Sequence, residues 1–206
     1  MASCTVEPYE SGDSSLSYLK AEMVDMHVMG RTVKSILTDA DEKLSVASSY
    51  SLPKNMEHAD TTYRMMLYYN KEGNKPIELK SVRQAHVVKP SDKESALTLN
   101  VDPVKLTSAW KAQNGNYINL SLGLMVGNAD SDEAVHKVGF VADSVETMPD
   151  GSKNYHLAFY HDQGGIPEYY TQMVYLSVPI KEYAEGDKIC IRLNTYSGWV
   201  EKTFVR

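Results

Sequence analysis

Apolar and polar residues alternate with a period of two along most of this chain. The clearest run is Ile118, Leu120, Leu122, Leu124 and Val126, with Tyr117, Asn119, Ser121 and Gly123 at the alternate positions. Successive side chains of an extended backbone point to opposite faces, so this run predicts a half-buried β-strand. Similar patterns recur over 135–145, 153–160, 172–180, 187–195 and 198–206, separated by turn chemistry. Asp150-Gly151 falls in one turn, and Gly164, Gly165 and Pro167 fall in the 161–171 connection. About six strands in roughly 100 residues at this spacing predict an antiparallel, immunoglobulin-like β-sandwich.

The first half carries shorter versions of the same pattern. Strands are predicted over 18–28, 32–38, 43–50, 61–70 and 76–88, the last with a bulge near Ser81. Asp39-Ala40-Asp41-Glu42 reads as a turn, and Lys71 to Pro76 reads as a hairpin connection with Gly73 and Asn74 free to take positive φ. Five short strands in about 70 residues suit a small closed sheet, and the five-stranded OB-like barrel is the economical choice over a small sandwich. Lys89 to Ser95 is polar, contains Pro90, and separates the two strand-rich blocks. The expected division is therefore a tether over 1–17, a barrel domain over 18–90 and a sandwich domain over 96–206. No helix longer than a turn or two is called for.

Composition narrows the class. Of 206 residues, 42% are hydrophobic and 23% charged, the balance of a folded globular protein. The net charge of −6 and the lack of a basic run leave no electrostatic footprint for nucleic acid. No apolar run reaches the length of a membrane-crossing helix. The 14 tyrosines against 3 phenylalanines fit strands whose outer face meets water.

Two cysteines stand at Cys4 and Cys190. Cys190, within Lys188-Ile189-Cys190-Ile191-Arg192-Leu193, is expected to be a small buried side chain of a strand. Ala2-Ser3-Cys4 resembles the end of a bacterial lipobox, in which small residues precede a cysteine that receives lipid. On that reading the sequence starts just inside the lipobox, Cys4 is the lipid attachment site, and the polar residues after it form a spacer. The alternative is an ordinary terminal cysteine.

The second half also resembles a known family. Trp110, Gly115-Asn116-Tyr117-Ile118-Asn119-Leu120, His136 before an apolar strand, Leu157-Ala158-Phe159-Tyr160-His161-Asp162, Val174-Tyr175-Leu176-Ser177-Val178 and Asp187-Lys188-Ile189 occur in the order and wording of the C-terminal domain of NigD-like envelope proteins of Bacteroidetes. Members commonly carry Leu at the position of Ile118. The first 90 residues are compatible with the family's N-terminal OB-like domain. The resemblance implies lipoprotein-type export and two β domains, and it implies no reaction. It also strengthens the lipobox reading of Cys4.

Candidate chemistry is sparse. His136, His156, His161 and Asp162 fall where paired strands could bring imidazoles and a carboxylate together, a common zinc set. Hydrogen bonding at strand ends is the expected use of these histidines, and no metal or other cofactor is assigned. Asp130, Asp132 and Glu133 place acids at calcium-loop spacing without the rest of such a loop, and Asp39, Asp41 and Glu42 repeat the theme. No nucleophile motif occurs. Trp110 is expected in the core, while Trp199, after a turn, could equally lie in the core or at the surface. These readings combine into a non-enzymatic binding or accessory module of the cell envelope, lipid-anchored and exported. Its expected partner is an unknown protein or glycan and not a nucleic acid. The alternative is a glycan or peptide hydrolase with a cleft at the domain junction, where convergent carboxylates or a His-metal cage would mark it. A third reading, a structural protein assembling with neighbours, would need unblunted strand edges.

Overall fold

A computed structural model describes residues 19–46, 50, 52, 58–92, 100–128 and 134–206, with backbone alone at 58 and 59. The expected tether with Cys4, the acids at 130–133 and much of the expected domain boundary lie outside the described residues.

The fold is all-β, with thirteen strands and no helix among the described residues. In the first half these are β1 (Leu19–Gly30), β2 (Thr32–Thr38), β3 (Lys43–Leu44), β4 (His58–Asn70) and β5 (Glu78–Val87). A two-residue β6 (Ser91–Asp92) and β7 (Lys105–Lys111) follow. The remainder are β8 (Tyr117–Val126), β9 (Lys137–Thr147), β10 (Lys153–Asp162), β11 (Tyr170–Pro179), β12 (Lys188–Thr195) and β13 (Gly198–Val205). Of the strand expected over 43–50, the described residues show Lys43–Leu44 and then Val46 as an isolated bridge, and 47–49 lie outside the described residues.

The first five strands pair in the order β3-β2-β1-β4-β5, all antiparallel. Val46 then bridges Ile77 in parallel, and the Ile77 amide donates to the Ser45 carbonyl at 2.7 Å. That contact brings the two ends of the order together into a five-stranded barrel. Its interior holds Val24, Met26, Val28, Ile36, Leu44, Leu52, Met65, Leu67, Tyr69 and Ile77. The register of β4 against β5 skips Lys80, so the bulge stands beside the predicted Ser81.

The sheet does not stop at the barrel. β5 pairs in parallel with β11 through Ala85, His86 and Val87, giving an eight-stranded order β3-β2-β1-β4-β5-β11-β8-β7. A second sheet, β13-β12-β10-β9-β6, faces the C-terminal part of the first. Ile118, Leu120, Leu122, Phe140, Leu157, Phe159, Leu176, Val178, Ile189, Ile191 and Leu193 fill the space between them. The expected sandwich is therefore present, with mixed rather than purely antiparallel pairing. β10 and β12 are parallel neighbours, as are β6 and β9. The cause is connectivity: the chain leaves β10, crosses to the other sheet as β11 and returns as β12 running in the direction of β10.

Alternation explains a third layer. Met23, Asp25, Arg64, Met66 and Tyr68 occupy the barrel-outer faces of β1 and β4, opposite to Val24, Met65 and Leu67 inside. These outer faces meet Tyr117, Asn119, Tyr175 and Ser177 on the face of β8 and β11 that points away from the sandwich core. The long sheet thus folds back on itself, and β8 and β11 become its middle layer. β8 is accordingly buried along nearly its whole length, on both faces. This corrects the half-buried expectation: Asn119 is fully buried and Ser121 nearly so.

Candidate functional site

The face where the barrel meets the sandwich carries a polar cluster built around Arg64, whose side chain is 2% exposed. Its Nη2 donates to both carboxylate oxygens of Asp39, at 2.6 and 2.7 Å, and to Asn119 Oδ1 at 3.1 Å. Nη1 donates to Asp25 Oδ1 at 3.2 Å, and Nε donates to Ser177 Oγ at 3.1 Å. Asn119 Nδ2 donates to Asp39 Oδ2 at 2.8 Å, and the Ser177 hydroxyl donates to Asn119 Oδ1 at 2.7 Å. The Tyr117 ring lies 4.2 Å from the guanidinium carbon, in a cation–π contact. Burial pushes the Asp25 carboxyl above the usual carboxylate range, against the pull of Arg64. Beside this cluster Met23, Met66, Ala85 and Tyr175 form a small apolar core with Tyr68 and Trp110 against it, and the Tyr68 and Tyr175 hydroxyls meet at 2.8 Å. Burial and that hydrogen bond move the Tyr175 hydroxyl up to about 12. Every donor of Arg64 described here is matched to an acceptor, which marks the cluster as a structural joint.

A shallow cleft of about 170 Å³ opens next to this joint, between β1, β4 and the β7–β8 turn. Glu22, Asp39 and Trp110 line it. Both carboxylates are engaged: Asp39 holds Arg64, and Glu22 Oε2 accepts from the Tyr69 hydroxyl at 2.5 Å. Asp41 accepts from Asn114 Nδ2 at 3.1 Å, and Glu42 pairs with Lys71. Asp39, Asp41 and Glu42 therefore serve three different partners and do not converge on one ion.

The histidines divide. His136 Nδ1 lies 2.9 Å from His161 Nε2, with the rings stacked 5.1 Å apart between centroids. His161 is fully buried, and its Nδ1 is 3.2 Å from the Asp102 carbonyl oxygen. A carbonyl only accepts, so His161 carries its proton on Nδ1 and leaves Nε2 as the acceptor for His136 Nδ1–H. His136 Nε2 is buried without a hydrogen-bond partner. Burial and the neighbouring imidazole hold His136 below the usual histidine range, with the Met125 backbone pulling the other way. His156 stands apart on β10, 3.8 Å from Glu146. Asp162, next to His161 and on the opposite face, accepts from the Gly164 amide at 3.0 Å. No group of three or more His, Cys, Asp or Glu side chains placed to hold a metal occurs among the described residues.

The His136 ring borders a larger cleft of about 520 Å³ between the two sheets of the sandwich. Leu124 and Val126 of β8 and Val174 of β11 make its floor, and Val88 and Val138 add apolar walls. His86, His136, Lys137 and Gln172 are its polar lining. A second cleft, about 590 Å³, lies at the other edge of the sandwich against the β12–β13 turn, with Lys105, Leu106, Met125, Tyr196 and Lys202 in its wall.

Exposed aromatic residues gather at one end of the sandwich. Tyr169 is 75% exposed, Tyr170 58% and Tyr196 50%, and Glu168 lies close enough to Tyr196 to raise its hydroxyl pKa after burial has done so. Trp199 is half-exposed on the outer face of the second sheet, with the Arg192 guanidinium 4.4 Å from its ring. Trp110 is half-buried against the joint rather than in the sandwich core. Cys190 is buried as expected, its sulfur 3.4 Å from Thr203 Oγ1.

Sequence reasoning grouped His136 with His156, His161 and Asp162, of which His161 alone meets His136, and it missed the Arg64 joint. The available signal was that both faces of 61–70 carry bulky apolar residues, Met65 and Leu67 on one and Met66 and Tyr68 on the other. A strand apolar on both faces is covered on both, and an arginine within it must be paired.

The family description that matches the chain is the NigD-like C-terminal beta sandwich domain, over residues 86–205. No curated protein matches it in sequence. Among solved structures it is similar to a NigD-like immunity protein from Bacteroides caccae, at 24% identity and TM-score 0.66, over 90% of this chain and 97% of that one. It is also similar to a candidate toxin-related protein from Parabacteroides distasonis, at 13% identity and TM-score 0.62, over 91% and 93% of the two chains. A candidate lipoprotein from Bacteroides fragilis matches at 14% identity and TM-score 0.57, over 90% and 96%. At these identities the likeness is one of fold.

Proposed function

Because the chain belongs to the NigD-like family, whose sandwich domain it matches over more than half its length, we propose that it is a non-enzymatic binding module of the cell envelope, tethered by lipid on Cys4. The observation that carries the binding part is the aromatic end of the sandwich. Tyr169, Tyr170 and Tyr196 present flat, half-polar rings to solvent beside one another's loops. Such rings stack on sugars or anchor protein partners at small entropic cost. The immunity role named for the Bacteroides caccae neighbour is one form of protein binding. The lipid tether draws on the Ala2-Ser3-Cys4 sequence and on the Bacteroides fragilis neighbour's description. Two acyl chains on one cysteine suffice for stable anchoring.

Two experiments test this. In the native host, wild type should fractionate with membranes and Cys4→Ser should be released; equal solubility of both removes the anchor. On an array of envelope glycans and on family-associated peptides, wild type should bind and Tyr169→Ser/Tyr170→Ser should lose binding. Turnover of those ligands, abolished by Glu22→Gln at the junction cleft, would instead establish the hydrolase reading. The engagement of Glu22 and Asp39 by Tyr69 and Arg64, and the small volume of that cleft, favour binding over hydrolysis.

A further inference from the structure

We infer that the cleft between the two sheets, beside the His136–His161 pair, is a binding site for a small free amphiphile with an anionic head and an apolar tail. The inference does not rest on the aromatic end or on the lipid tether. It stands on the shape, the lining and the charge of one cavity.

The volume of about 520 Å³ lies within the range of small-molecule sites. The floor is the edge of the sandwich core itself: Leu124 and Val126 belong to that core, and Val138 and Val174 pack against it. The reason for the opening lies in the strands. Among the described residues the edge strand β6 pairs with β9 at Val141 and Ala142, so the residues of β9 before Val141 lack a partner strand on that side. That stretch, with Lys137 and Val138, forms a lip over the floor, where Val138 and Val174 are only partly buried. Leaving that floor in water costs about 25 cal/mol for each Å² that an apolar tail could cover.

The polar lining is of one kind. Among the described residues, His86, His136, Lys137 and Gln172 are the polar lining of the cleft, and neither Asp nor Glu is part of it. Lys137 is the formally charged residue of this described lining. Asp162 lies across from Lys137 in the β9–β10 register, and its Oδ1 is already taken by the Gly164 amide. Asp162 and Lys137 attract each other, and an ammonium with three N–H groups retains donors for a ligand beside that carboxylate. A carboxylate at the lip would receive hydrogen bonds from Lys137 and Gln172. The buried imidazole pair fits the same purpose. Held by the Asp102 carbonyl, His161 fixes the ring of His136 at the cleft wall.

The probe is decanoate below its micellar concentration, with decanol as the uncharged comparison, titrated calorimetrically into the full chain. Decanoate is expected to bind, with decanol at least tenfold weaker. Lys137→Glu, at an exposed position that leaves packing untouched, should weaken decanoate about tenfold or more and leave decanol unchanged, as loss of one charge-assisted contact requires. Val174→Trp, which fills the cleft, should abolish binding of both. Because that variant could misfold, the same titration is followed by NMR on wild type, where the His136 and His161 ring protons should shift with the calorimetric Kd. Equal affinity for decanol and decanoate overturns the anionic head. Binding that leaves the His136 and His161 signals unmoved, or survives in a folded Val174→Trp, places the ligand elsewhere and overturns the site. Absence of binding overturns it outright.

Discussion

At the scale of single residues, Arg64 concentrates more consequence than any residue that sequence reasoning selected. It is a buried cation whose donors are shared among Asp39, Asp25, Asn119 and Ser177. A buried pair of this kind adds little over a well-packed apolar replacement, yet removing one member leaves the other charge stranded. Arg64→Ala is therefore expected to cost about 3–5 kcal/mol in urea unfolding, the range for breaking a buried ion pair. Arg64→Met combined with Asp39→Leu should recover a large part of that loss, and a double variant no better than the single one would show that the cost comes from lost packing instead. Asp25 tests the same cluster through pH. Burial raises its folded-state pKa above 3.8. The folded chain then holds the proton to higher pH than the unfolded chain, so stability falls as pH rises through that window, and at neutral pH the ionised group is a burden. Asn keeps an oxygen to accept from Arg64 without the charge. Asp25→Asn should accordingly move the urea midpoint upward at pH 7, with the gain fading as pH approaches 4. A gain that instead grows toward pH 4 would reverse the assignment.

At the scale of elements, β8 shows what a period-two pattern does and does not convey. The alternation fixed which residues share a face: Ile118, Leu120, Leu122 and Leu124 line the sandwich core. It could not say that the polar face is also covered, because the cover comes from β1 and β4, far earlier in the chain, with Arg64 on β4 separated from Asn119 by 55 positions. The consequence is measurable. Leu120→Ala should cost about 2–5 kcal/mol as a large-to-small core change. Asn119→Ala leaves Asp39, Ser177 and Arg64 each short of a partner and should cost about 1–3 kcal/mol per unsatisfied buried group, comparable to Leu120→Ala. A half-buried strand would make the Asn119 change nearly free, so thermal unfolding of the two variants side by side decides between the arrangements. β7 was missed for a local reason. Its register against β8 slips between Leu106 and Ser108, so the apolar residues Leu106, Ala109 and Trp110 do not alternate cleanly. The described part of β6, Ser91–Asp92, is too short to leave a pattern. The histidines were legible as a group because β9 and β10 are joined by the Asp150-Gly151 turn, and antiparallel pairing returns 161 toward 136. His156 fell away because five residues along a strand is an odd step, which puts it on the other face from His161.

At the scale of the whole molecule, the sequence showed two strand-rich blocks but could not show that one sheet runs through both. Parallel pairing of β5 with β11 joins residues some ninety positions apart, and no local pattern encodes such a partner. That backbone connection is narrow, three residue pairs from Tyr175↔Ala85 to Ser177↔Val87. The rest of the coupling comes from side chains: the Arg64 cluster, the Tyr68–Tyr175 hydroxyl contact and the small apolar group of Met23, Met66 and Ala85. Barrel and sandwich should therefore unfold together in wild type and separate when the joint is weakened. Trp110 reports on the joint, since it packs against Met23, Met66 and Tyr175. Trp199, half-exposed on the far sheet, contributes little change in environment and is replaced by Phe to isolate the Trp110 signal. In urea, the Trp110 emission shift and the far-ultraviolet circular dichroism of this Trp199→Phe background should trace one coincident transition. Adding Arg64→Ala should move the Trp110 transition to lower urea and leave part of the circular dichroism change behind at higher urea, as the sandwich outlasts its contact with the barrel. Coincident transitions in both proteins, shifted together, would mean that the three β5–β11 pairs and the apolar contacts suffice to hold the two parts as one cooperative unit. The polar joint would then set the stability of the molecule without setting its cooperativity.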